Sequence, residues 1–245
     1  MTSSEPAILA ENLAKRYGRT QAVVDVSLRV DSGETMGILG TNGAGKTTTV
    51  EMIAGLRGPD RGRIRVLGLD PRRDRARLRQ VLGVQLQNAY LHHALRVTEL
   101  VELYRSFYPA PRPTDELLDL VDLAEQRRTI FEKLSGGQKQ RLSIALALAG
   151  RPRVVILDEL TTGLDPAARR RMWGTIERLR ADGVTILLVS HAMEEVERLC
   201  DRVAVIDAGR VLALDTPAGL VARTGAANLD DAFVALTGKD LEVTA

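Results

Sequence analysis

Apolar and polar positions alternate from Ala7 to Val30, most clearly at Val26, Leu28 and Val30. A period of two predicts strands with one buried face, and Asp31-Ser32-Gly33 is a turn signal that ends the run. The next apolar stretch, ETMGILG, predicts a short buried strand, then a glycine-rich loop and a helix from about Lys46 to near Gly55. GRIRVL at 62–67 predicts an edge strand. Residues 88–150 read mostly as helix, with an apolar stripe at Leu117, Leu118, Val121 and Leu123 and a break at PAPRP, 109–113. Beyond them strands and helices alternate again, through VVILD, ARRRMWGTIERLRAD, VTILLVS and AMEEVERLC. VAVID and RVLALD flank Asp207-Ala208-Gly209 as a hairpin. The alternation predicts an α/β fold with a mainly parallel sheet. No internal repeat, linker or low-complexity tail divides it, so a single domain over residues 1–245 is expected, ending in a helical segment at about 216–245.

Composition narrows the choice of function. With 44% apolar residues in a chain of 245, a sizeable core is possible. The 34 basic and 32 acidic side chains nearly cancel, and aromatics make up only 3%, which argues against a nucleic-acid binder or a base-stacking platform. The arginine-rich stretch DPRRDRARLRQ, 70–80, carries interleaved Asp70 and Asp74 and reads as a solvated helix face. A single cysteine, Cys200, excludes an internal disulfide framework and fits a reducing compartment. The N-terminal MTSSEPAILAEN lacks the regions of a secretion signal, and no apolar run approaches the ~20 residues of a membrane span. A soluble cytoplasmic chain without a direct membrane span is expected.

The chemistry starts at GTNGAGKTT, which matches G-x-x-x-x-G-K-[ST] from Gly40 to Thr47 between a predicted strand and a predicted helix. Glycines let backbone N–H groups close around phosphates, Lys46 brings a cation to the β- and γ-phosphates, and Thr47 offers a hydroxyl to Mg²⁺. VVILDE supplies the second element: a strand ending in Asp158, suited to hold Mg²⁺, and Glu159, suited to polarise an attacking water. Residues 134–141, LSGGQKQR, then present a hydroxyl and two glycines before a helix-forming run. A chain with one phosphate loop thus carries a second anion-receptive helix start.

The set of Gly40–Thr48, LSGGQ at 134–138, VVILDE at 154–159, TTGLD at 161–165 and His191 after a strand resembles the nucleotide-binding subunits of ATP-binding cassette (ABC) transporters, over roughly residues 7–238. The resemblance implies a P-loop NTPase core with a mainly parallel sheet, an N-terminal antiparallel β subdomain and a helical insert subdomain at about 88–150. It implies ATP and Mg²⁺, the nucleotide being cradled by Gly40, Thr41, Asn42, Gly43, Ala44, Gly45, Lys46, Thr47 and Thr48. It also implies a head-to-tail pair of cassettes, as a homodimer or heterodimer, in which Ser135, Gly136, Gly137 and Gln138 meet the nucleotide held by the partner. Tyr17 matches the aromatic that stacks on adenine, Asp165 the acid at the dimer seam, and His191 the switch histidine at the γ-phosphate. The glutamine that senses Mg²⁺ and the membrane partner matches Gln87, counted from Gly83, with Gln85 as the alternative. Leu160 departs from the family, where proline is frequent.

Three kinds of cassette then compete: exporter subunit, importer subunit, and ATPase acting on DNA or ribosomes. The segment between Gly40 and Ser135 has no room for an inserted coiled coil, and the chain has one cassette, where ribosome-acting relatives have two. NLDDAFVALTG at 228–238 resembles the closing segment of the drug, antibiotic and polysaccharide export branch. The expectation is therefore an ATP hydrolase, peripheral on the inner face of the cell membrane, that powers export through a partner permease.

Overall fold

The structure, a computed structural model, describes residues 5–86 and 91–239. In chain order the elements are β1 (Ile8–Tyr17), β2 (Thr20–Val30), β3 (Thr35–Leu39), α1 (Lys46–Ile53), β4 (Arg61–Val66), α2 (Arg75–Val81) and β5 (Leu82–Gln85). They continue with α3 (Val97–Arg105), α4 (Thr114–Leu120), 3₁₀ turns at Ala124–Gln126 and Phe131–Lys133, α5 (Gly136–Leu148), β6 (Val154–Asp158) and α6 (Pro166–Ala181). The last are β7 (Thr185–Val189), α7 (Met193–Leu199), β8 (Arg202–Asp207), β9 (Arg210–Asp215), α8 (Pro217–Thr224) and α9 (Leu229–Thr237). They fall into two compact units, residues 1–78 with 185–245, and residues 79–184.

The first unit is a mixed sheet in the order β4-β1-β2-β9-β8-β3-β7. Its N-terminal strands pair antiparallel, β1 with both β2 and β4. In β2 the alternation seen in sequence is real, since Val26, Leu28 and Val30 are buried and their neighbours are not. By contrast β3 lies parallel between β7 and β8, and all five of its residues are buried. A strand covered on both faces needs apolar side chains at successive positions, which is why TMGIL and TILLV show no alternation. The β8–β9 hairpin is antiparallel, as its turn signal predicts. Among the described residues no helix is long and apolar enough to cross a membrane.

The second unit pairs β5 parallel to β6, with helices α3 to α6 supplying the rest. Leu142 and Ile144–Ala149 of the α5 segment are buried, whereas α6 buries Met172, Trp173, Ile176 and Leu179 and exposes Arg170, Arg171, Arg178 and Arg180. Less of 91–150 is helical than its apolar stripe predicts. Helix α4 stops at Leu120 because Asp122 takes a left-handed φ of 55°, and the Leu123 N–H returns to the Leu118 carbonyl at 2.8 Å. Leu117, Leu118, Val121 and Leu123 are nonetheless all buried. The stripe marked burial across a helix end.

Gly83 sits in β5 where a Cβ would stand 2.2 Å from the Ala147 carbonyl oxygen and 3.0 Å from Pro152 Cγ. Backbone on one side and a proline ring on the other leave little room to yield. Gly83→Ala is therefore expected to lower stability by about 1–3 kcal/mol. Chemical denaturation of the variant beside the parent checks this, and an unchanged midpoint would contradict the close approach.

Candidate functional site

In the first unit the strand β3 runs into Gly40, and α1 leaves the loop at Lys46. Close packing explains two of the glycines. A Cβ on Gly40 would stand 2.3 Å from the Ile206 carbonyl oxygen, and one on Gly45, whose φ is 100°, 2.4 Å from that of Ala22. The Ala44 N–H closes onto the Thr41 carbonyl at 3.1 Å. From outside, the Gly209 N–H donates to the Ala44 carbonyl at 2.9 Å, while the Gly209 carbonyl accepts from Val24 and Asp25. The hairpin turn that sequence reads only as a turn is thus a brace for the loop.

Lys46 is 6% exposed, and its Nζ donates to the carbonyls of Gly40 at 2.6 Å and Thr41 at 3.0 Å. A buried ammonium is tolerable only with such partners. The α1 N-cap, Gly45, brings no side-chain cap, and the first turn holds no acidic residue. The leading N–H groups and the positive end of the helix dipole therefore face the loop without a carboxylate in the first turn to neutralise them. Asn42, Gly43 and Thr47 are exposed, and Thr48 is half-buried.

Tyr17 and His191 belong to the same unit. Tyr17 ends β1 and is 38% exposed, with the Arg57 guanidinium 5.1 Å and Lys15 Nζ 5.9 Å from its ring centroid. Each cation is tied to a carboxylate at 2.6 Å, Arg57 to Glu51 and Lys15 to Asp60. His191, half-buried, follows β7 in a turn held by Ser190, whose Oγ donates to Glu195 Oε2 at 2.6 Å and accepts from the Ala192 N–H at 3.1 Å. Glu195 is wholly buried. Nothing in the run AMEEVERLC distinguishes it from its exposed neighbour Glu194.

The second unit carries the other residues. Asp158 ends β6 at 3% exposure, and its N–H donates to Gln85 Oε1 at 3.2 Å. Gln85 is itself 1% exposed and gives its amide N–H to the Leu86 carbonyl. Gln87 lies outside the described residues. Glu159 is half-buried and left-handed, with φ 54°, and its carbonyl accepts from Gln140 Nε2 at 2.9 Å. Leu160 is fully buried, so the position where proline is frequent serves here as core. Ser135 is the N-cap of α5: its Oγ accepts from the Gln138 N–H at 3.2 Å while Gln138 Oε1 accepts from the Ser135 N–H at 2.9 Å. This reciprocal box satisfies the Ser135 and Gln138 N–H groups and leaves those of Gly136 and Gly137 outside it. Gly136 meets nothing within 4 Å at its Cβ position, but Gly137 would meet Leu164 at 2.9 Å.

The ABC transporter family profile matches residues 23–162. The chain belongs to the ABC transporter family. Its relatives include the daunorubicin resistance ATP-binding protein of Streptomyces coeruleorubidus, 40% identical over 93% of this chain and 73% of the relative. The linearmycin resistance ATP-binding protein of Bacillus subtilis is 38% identical over 88% and 71%. A Nod factor export ATP-binding protein of Burkholderia orbicola is 43% identical over 86% and 71%. Among solved structures, an ATP-binding subunit of an ABC transporter superposes with a TM-score of 0.86, at 29% identity over 94% of this chain and 99% of that one. A dimeric ATP-binding cassette in a post-hydrolysis state with ADP and Pi gives 0.79, at 25% identity over 85% and 98%. The fold is accordingly the α/β fold of P-loop ATPases, with antiparallel and parallel strands in one mixed architecture.

The residues of this ABC cassette fit the groups its family implies. The loop around Lys46 is closed by its own hydrogen bonds and backed by an uncapped helix start, the arrangement an oligophosphate requires. Among the described residues no group of three or more His, Cys, Asp or Glu could by itself hold a metal. The oxygen donors present, the Thr47 hydroxyl and the Asp158 carboxylate, are of the kind that Mg²⁺ takes together with waters and substrate phosphates.

Asp165 is the N-cap of α6 and accepts from the Ala167 and Ala168 N–H groups, both at 2.9 Å. The Ala168 N–H, assisted by that of Ala167, holds its carboxyl below the ordinary Asp value. A carboxylate favoured in the fold contributes stability above the unfolded pKa and loses it as pH falls through the folded one. Titration of the Asp165 carboxyl carbon by NMR should give a midpoint below that of an unfolded Asp, with the Ala167 and Ala168 amide shifts moving in step. A midpoint at or above the ordinary value would remove the cap.

Proposed function

We propose that this chain is the ATP-hydrolysing subunit of an exporter, seated at the inner face of the cell membrane beneath a partner permease and working as a pair of cassettes. The observation that supports the reading is the loop around Lys46, held closed by hydrogen bonds that the chain makes with itself. Export rather than import is supported by relatives whose names record drug resistance and Nod factor export.

In this reading Gly40–Thr48 wrap the phosphates, Lys46 lends its positive charge, and Tyr17 receives the adenine. Thr47 and Asp158 would hold Mg²⁺, with Gln87 as the sensing residue. Bound Mg²⁺ supplies charge neutralisation on the β- and γ-phosphates. Glu159 takes the proton of the attacking water, and His191 touches the γ-phosphate. Ser135 meets the γ-phosphate held by the partner: its oxygen already accepts from Gln138, and a hydroxyl keeps one O–H to donate. Gly136, Gly137 and Gln138 let that helix start come close, and Asp165 lies at the seam. The cargo is selected by the permease.

Lys46→Ala should abolish Mg²⁺-dependent phosphate release, and undiminished turnover would end the assignment. Glu159→Gln keeps the shape of the side chain and loses the base, so turnover should fall roughly 100- to 10,000-fold while ATP binding persists. Sedimentation of that variant should show a dimer with ATP and none with ADP. ATP binding lost together with turnover would contradict the role given to Glu159.

A further inference from the structure

The segment LSGGQKQR and the turn that follows β6 meet within one chain. Gln140, one turn into α5, donates Nε2 to the Glu159 carbonyl at 2.9 Å across 19 positions of sequence. Nearby, Gly137 packs so closely on Leu164 that even a Cβ would stand 2.9 Å from the leucine's Cδ2. The hydrogen bond falls on an unusual peptide. Glu159 has a φ of 54°, a left-handed conformation that non-glycine residues adopt at a cost and keep only when their surroundings impose it. Backbone φ at Glu159 decides where its carboxylate points, because the side chain leaves from the Cα that the rotation turns.

We propose that Gln140 is a positioning residue for Glu159, holding this peptide left-handed and so tying the placement of α5 to hydrolysis at the chain's own phosphate loop. The inference rests on the reading of Glu159 as the general base. Ser135, at the start of the same helix, faces the nucleotide of the partner in that reading. A shift of α5 on engaging the partner's phosphate is then transmitted over five residues to the carbonyl of Glu159. Each cassette thereby senses occupancy of the opposite site through a bond inside its own chain, and the two hydrolytic sites are coupled. The amide of Gln140 is suited to this: it donates to a carbonyl, stays neutral, and reaches the turn from a half-buried position.

The test uses the full chain and four variants: Gln140→Met, which keeps length and removes the donor; Gln140→Lys, which restores a donor; Glu159→Gln; and Gln140→Met with Glu159→Gln. Steady-state phosphate release gives kcat and KM, and titration with a fluorescent ATP analogue gives affinity. Gln140→Met should lower kcat about five- to tenfold with KM and affinity unchanged. Gln140→Lys should recover most of that loss, and a thermal melt of each variant guards against misfolding. In the Glu159→Gln background, Gln140→Met should reduce the residual turnover no further, because its effect passes through the carboxylate. An equal additional loss in that background overturns the proposal, as does a rise in KM at constant kcat, or a Lys variant no better than Met. Full turnover in Glu159→Gln alone would instead defeat the reading of Glu159, and the proposal with it.

Discussion

An ammonium group with 6% of its surface exposed has to be compensated from within the protein, and this requirement organises the first unit. Lys46 is compensated by the carbonyls of Gly40 and Thr41, so the loop must curl back over its own helix start. Curling brings backbone against backbone, which excludes a side chain at Gly40 and at Gly45. The curled loop in turn needs a rigid strand before it and an external brace. The fully buried β3 supplies the first, and the β8–β9 turn, through Gly209 and Ala44, supplies the second.

The second anion-receptive helix start is built by different means. Helix α1 begins at a glycine and carries no side-chain cap, whereas α5 begins at Ser135 with a complete capping box. The first start carries no side-chain cap at all; in the second the box engages the Ser135 and Gln138 N–H groups, and the Gly136 and Gly137 N–H groups and one hydroxyl hydrogen remain beyond it. Within the second unit, the same α5 is bonded to the turn that carries Glu159, so the proposed partner contact at Ser135 and the proposed base share a mechanical support.

The arrangement around Tyr17 shows how such sites recruit ordinary residues. Arg57 and Lys15 lie against the ring, and each is held by a carboxylate that has no direct part in nucleotide chemistry. Cations at an aromatic face are attracted by its quadrupole and steady an otherwise exposed side chain. Ser190 and Glu195 do the corresponding work for the turn bearing His191. No sequence motif marks any of these supporting residues.

The chain's sequence alone determined the α/β class, the glycine loop with Lys46, the Asp158-Glu159 pair and the serine-capped start of α5. Each of these is local: a run of apolar residues, a fixed spacing of glycines, or a hydroxyl three positions before its amide partner is written in neighbouring letters. Sequence overstated the helix in 91–150, because apolar periodicity reports burial and continued past the left-handed Asp122 that ends α4. Tertiary structure alone decided that Gly209 braces the loop, that Gly83 is held against Ala147, that Glu195 is buried under Ser190, and that Gln140 reaches Glu159. Each of those pairs is brought into contact by the fold, and a hydrogen bond or a steric limit depends on distance in space. The identity of one residue carries no trace of a partner that arrives from another element.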